Sequence, residues 1–222
     1  MSEQQARNPF HFLGCWELRE MLGRRAWDER ELLEHLEEVP VDSIYFHTHS
    51  FFLRQRGFTG AYPNDFATWA AIQVRDRVLG EKLGIVDPQE FPDLESLRTE
   101  VVSLIDDHLS QVGAVPRVMF GEPFYFMQSR VIEVPTGIKV RTLREFRDAL
   151  TTVDTGVIYL HVVEARGRKG RRRNDFAVWI DEQLGLPELA ARIARVNPFP
   201  LSLEDIRHQL VALVDEPLGS VP

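Results

Sequence analysis

Apolar positions recur at the helical period along most of the chain. Leu32, Leu33 and Leu36 share a face after Asp28, which stands where an N-cap belongs. Leu143, Phe146 and Leu150 do the same after Thr142. Leu94, Leu97, Val101, Leu104 and Ile105 make a longer stripe, and so do Leu203, Ile206, Leu210, Leu213 and Val214. Ser202 with Asp205 reads as a capping box in its acidic form. Asn64 and Asn174 are placed to cap helices in which Phe66 with Trp69, and Phe176 with Trp179, face one side. Leu79, Leu83 and Val86 continue the first of these stripes, and Leu189, Ile193 and Val196 the second. Asp87-Pro88 and Asn197-Pro198 then stop them, because proline disfavours a helical residue before it.

Three stretches read less simply. Ser43–Phe52 and Val157–Glu164 suit a strand or a buried helix by composition, and helix is preferred because a capped helix follows each. Val131–Val140 has β-branched residues on both sides of Pro135-Thr136-Gly137, which predicts a short hairpin. The matching Leu18–Ala26 is a better helix former.

These elements occur twice. Residues 9–47, from Pro-Phe-His-Phe to His47, align with 123–161, from Pro-Phe-Tyr-Phe to His161, without a gap. Asn64-Asp65-Phe66-Ala67-Thr68-Trp69 then matches Asn174-Asp175-Phe176-Ala177-Val178-Trp179, and Leu94–Arg98 matches Leu203–Arg207. The chain reads as a tandem duplication of a ~100-residue helical domain with pseudo-two-fold symmetry. The expected divisions are a disordered 1–8, a first repeat over 9–110, a linker over 111–122, a second repeat over 123–217 and a tail over 218–222. The expected class is mainly α, or α+β if the halves carry short hairpins.

Composition narrows the setting. A net charge of -8 argues against a nucleic-acid binder, which usually carries a basic face. The one cysteine, Cys15, excludes an intramolecular disulfide and suits the reducing cytoplasm. No run approaches the ~20 apolar residues of a membrane span, and residues 1–8 lack the apolar core of a signal peptide.

The recurrent constellation is a histidine followed by Asn-Asp-Phe-Ala-x-Trp, with 17 residues from His47 to Asn64 and 13 from His161 to Asn174. On these residues the chain resembles a bacterial and archaeal family of uncharacterised proteins marked by a leucine-rich helix, a histidine and that motif. The resemblance covers both halves and implies no activity, the family being a domain of unknown function. The first half departs from it through His49 and the longer Phe51–Pro63 insertion.

Candidate catalytic groups are His47 with Asp65 and His161 with Asp175, each histidine a general base oriented by its aspartate. No nucleophile accompanies them, since Ser129 replaces Cys15 in the other copy. His47, His49 and Asp65 are candidate metal ligands, but the second copy has Val163 in place of His49. The preferred reading is a buried histidine hydrogen-bonded to the aspartate that opens the next helix. Trp69 and Trp179 are expected in the core, on the closing helices near Leu97 and Ile206. Arg166, Arg168, Lys169, Arg171, Arg172 and Arg173 form a candidate anion site beside a helix N-terminus, set against a plain solvated loop. No nucleotide, dinucleotide or zinc signature occurs, so no cofactor is expected. The favoured function is a non-catalytic binding or regulatory module for a partner protein or a small anionic ligand. The alternative is a metal- or histidine-dependent enzyme with its site between the repeats.

Overall fold

Phe10 and Phe12 alternate with His11, and Phe124 and Phe126 with Tyr125, which puts each phenylalanine pair on one buried face of a strand. The computed structural model describes residues 5–54, 62–165, 173–199 and 201–219. In it these pairs open two long strands, β1 (Phe10–Ala26) and β2 (Phe124–Val140), which form a two-stranded antiparallel sheet. Leu18–Ala26 is therefore strand, not helix, and Val131–Val140 is part of one strand, not a hairpin. Gly23 and Gly137 explain the difference. They hold φ at 70° and 80°, values glycine adopts freely, and the strand runs on through each of them. Pro135 is tolerated because both strands of a two-stranded sheet are edges. With helix at 58% and strand at 18% of the described residues, the class is mixed α+β.

The helices follow their signals more closely. Asp28 caps α1 (Glu29–Glu38), accepting from the Glu31 N–H, and Thr142 caps α7 (Leu143–Thr152) in a full capping box with Glu145. The segment containing His47 is helical, as α2 (Val41–His47) and α3 (Phe51–Arg54). Its counterpart is α8 (Thr155–Ile158) running into a π-helix over Tyr159–Glu164 that carries His161. Asn64 caps α4 (Asp65–Trp69), a π-helix over Ala70–Val74 follows, and α5 (Arg77–Gly84) starts afresh from the cap Asp76. Asn174 caps α9 (Asp175–Leu184), which stops at Gly185 before α10 (Pro187–Ala194). Each apolar stripe read through these regions thus spans two helices. The closing helices are α6 (Leu94–Gln111) and α11 (Leu203–Gly219), so helix continues through Leu218 and Gly219 of the expected tail.

The described residues fall into two compact units that do not follow the segments 9–110 and 123–217. One, here the first-half unit, comprises 17–54 and 62–130. The other, the second-half unit, comprises 5–16, 131–165, 173–199 and 201–219. The opening segment of each half is thus built into the unit formed by the other half's helices. In the first-half unit, Phe124 and Phe126 join Leu32, Leu36, Ile44, Phe66, Trp69 and Leu97 in the core. In the second-half unit, Phe10 lies 6.1 Å from Phe146 and 5.3 Å from Phe176, ring centre to ring centre. Phe12 stacks on Phe146 at 5.6 Å. Phe12 and Phe126 are fully buried, each contributing about 1.5–3 kcal/mol by burial.

Two expectations about connecting segments change accordingly. Residues 5–8 are held in place: the Ala6 N–H donates to Arg141 O and the Asn8 N–H to Gln183 Oε1. The stretch after Gln111 is packed as well, with Val118 buried and its N–H donating to Trp27 O. Among the described residues, no helix is long and apolar enough to cross a membrane.

Candidate functional site

His47 is the last residue of α2 and is buried against Phe124 of β2, 4.6 Å between ring centres. Its Nδ1 lies 2.8 Å from Asp65 Oδ2, at the first residue of α4. Its Nε2 accepts the backbone N–H of Met127 at 3.1 Å. A nitrogen that accepts carries no proton, so Nδ1–H is the donor to Asp65 and the ring is neutral. Burial holds its pKa below the usual imidazole value, against the opposing pull of Asp65. Arg54 also reaches Asp65, its guanidinium lying over the Phe46 ring.

The second-half unit has the same arrangement. His161 Nδ1 lies 2.9 Å from Asp175 Oδ2, and Nε2 accepts the Leu13 N–H at 3.0 Å. Other bonds match as well. Trp69 Nε1–H donates to Glu122 O, and Trp179 Nε1–H to Asn8 O. The Asn64 amide donates to Leu83 O, and that of Asn174 to Ile193 O. Arg98 donates to Leu36 O, and Arg207 to Leu150 O. In each unit, one histidine therefore ties a strand amide to the start of a helix. Both tryptophans are buried as expected, and their rings meet strand phenylalanines, Phe124 for Trp69 and Phe10 for Trp179, with Phe146 of α7 also against Trp179.

The remaining sequence candidates are placed as follows. His49 is not gathered with His47 and Asp65; it stacks on Tyr45 and meets the Thr48 hydroxyl at 3.1 Å. Arg166, Arg168, Lys169, Arg171 and Arg172 lie outside the described residues. Arg173 is described, donating to Asp181 Oδ2 at 2.9 Å and to Ala177 O at 3.2 Å.

Sequence reasoning missed a second cluster. Glu29 at the start of α1, Asp76 capping α5 and His108 in the last turn of α6 offer ligand atoms within 4.8 Å of one another. His108 Nε2 lies 2.8 Å from Asp76 Oδ2 and 3.7 Å from Glu29 Oε2. Asp76 Oδ1 is spent on the Leu79 N–H, leaving Oδ2 for the cluster. Glu29 is fully buried, and neither carboxylate oxygen has a hydrogen-bond partner among the described residues. Burial first, then the nearby charges of Asp76 and Asp28, push its pKa from 4.5 up to about 8. At the matching positions the second half has Leu143, Leu186 and Pro217, all apolar. That contrast was the available signal: three ionisable residues in one copy where the other needs none.

The sequence profile described as "Family of unknown function (DUF5752)" matches residues 7–215. The chain belongs to this family. The family match runs across both halves and so takes in both histidine sites and the acid cluster. The chain is also similar in structure to OrfY from Thermoproteus tenax, with 26% identity, a TM-score of 0.76 and 96% of each chain covered. No curated protein matches it.

Proposed function

We propose that this protein is a non-catalytic binding module for a partner protein, in which the two His–Asp pairs are structural pins. The observation that carries this reading is the double occupation of each imidazole. A histidine base needs a free nitrogen to take the proton, yet Nε2 of His47 and of His161 already accepts a main-chain N–H. The alternative, an enzyme using His47, Asp65, His161 and Asp175, would require those strand amides to leave. In support of a protein partner, the first-half unit exposes Leu18 and Met21 on β1, at 58% and 67% of their surface, and Met119 and Phe120 ahead of β2. Exposed apolar side chains of this size are enriched at protein interfaces.

The reading includes an internal duplication, supported by the five pairs of matched hydrogen bonds above. It assigns the protein to a reducing compartment, since Cys15 is its single cysteine and no intramolecular disulfide can form. The anion site at the arginine loop is a second reading, which retains only the sequence argument. The test is affinity capture from the native cell extract, with the parent and with Leu18→Glu/Met21→Glu as baits. The parent should retain a specific protein and the variant should lose it, with melting temperatures alike. Equal capture by both baits, or none by the parent, defeats the proposal.

A further inference from the structure

We propose that Glu29, Asp76 and His108 form a binding site for one divalent transition-metal ion, joining α1, α5 and α6 of the first-half unit. The site is independent of the binding-module reading. Two carboxylates and an imidazole within 4.8 Å of one another are a donor set for zinc, manganese or iron(II). Metal–ligand bonds of about 2.0–2.1 Å in a tetrahedron set neighbouring donors roughly 3.3 Å apart. The two separations at His108 Nε2, 2.8 and 3.7 Å, bracket that value.

Glu29 supplies the independent observation. A fully buried carboxylate with neither oxygen hydrogen-bonded is among the costliest groups a fold can enclose, and native proteins rarely leave one so. Glu29 lies beside a second carboxylate, which worsens the cost unless a positive charge sits between them. A doubly charged cation would neutralise both at once. Packing does not demand the trio, because the second half fills the equivalent positions with Leu143, Leu186 and Pro217. Asp76 is partly exposed, giving an ion and a completing water a way in.

The competing account is a proton held by Glu29, and the experiment separates the two. The full chain is stripped with a chelator, then titrated separately with Zn2+, Mn2+ and Co2+, with Mg2+ as control. Heat of binding, melting temperature and metal content after gel filtration are followed. One equivalent of Zn2+ or Mn2+ should stay bound and raise the melting temperature. Co2+ should develop ligand-field absorption reporting nitrogen and oxygen donors. Glu29→Gln and His108→Gln should weaken binding by at least about tenfold. Glu29→Leu, which copies the second half, should fold and bind no ion there. If the parent retains no ion and shows no shift, the proton account holds and the metal site is wrong. It is equally overturned if Glu29→Gln binds as tightly as the parent, or if Mg2+ acts like Zn2+.

Discussion

The backbone N–H of Met127 donates to Nε2 of His47 at 3.1 Å, across 80 residues of chain. His47 belongs to the first half and Met127 to the opening segment of the second. The reverse bond, from Leu13 to His161, spans 148 residues. Removing the ring should therefore cost more than its apolar contacts. His47→Leu leaves the partly buried Met127 amide without this partner, and an expected loss of about 2–4 kcal/mol can be read from urea unfolding. A loss below that expected for a surface substitution would show that the pin carries no weight.

The tryptophans separate ring burial from hydrogen bonding. Trp69→Phe and Trp179→Phe keep an aromatic ring but lose the donor to Glu122 O or Asn8 O. Each should cost about 1 kcal/mol from the lost bond, whereas truncation to alanine should cost about 3–5 kcal/mol. Equal losses for Phe and Ala would mean that the indole N–H, not the ring, dominates.

Much of this was legible in the sequence because it is local. Asp28, Asn64, Thr142 and Asn174 cap the helices they precede, and the His47–Asp65 and His161–Asp175 bonds join neighbouring elements. The sheet was not legible. Its strands lie about a hundred residues apart, so neither Leu18–Ala26 nor Val131–Val140 has a partner nearby to reveal its pairing. Glu29, Asp76 and His108 were hidden for another reason. Each has an ordinary local place, in a first helical turn, at a cap or on a long helix, and no regular spacing links them.

A backbone contrast gives a third expectation. Arg75 holds φ at 69°, where its counterpart Gly185 holds 59°. Side chains resist that left-handed region and glycine does not. Arg75→Gly should stabilise by up to about 1 kcal/mol, and Gly185→Ala should destabilise by about 1 kcal/mol. Thermal unfolding of the two variants checks the signs, and like signs would contradict the backbone argument.

Glu29 predicts a pH dependence in the metal-free protein. Its carboxyl titrates at about 8 when folded against an ordinary 4.5, so the folded state holds an extra proton between those values. Stability from this group is present below the lower value and is lost as pH rises through the upper one. Glu29→Gln cannot titrate. Measured with chelator present, its stability relative to the parent should grow from pH 4.5 to 8, by up to roughly 4 kcal/mol. Parallel pH curves would show that Glu29 is not held protonated.

The central claim is that each half's opening segment completes the core formed by the other half's helices. Hydrogen exchange followed by mass spectrometry on Phe12→Ala and Phe126→Ala, in the full chain, tests it most directly. Phe12→Ala should loosen α7, α9 and α10, more than a hundred residues away, and leave α1, α4 and α5 protected. Phe126→Ala should do the reverse. If Phe12→Ala instead exposes α1 and α4, the helices that follow it in its own half, the exchange of opening segments is contradicted.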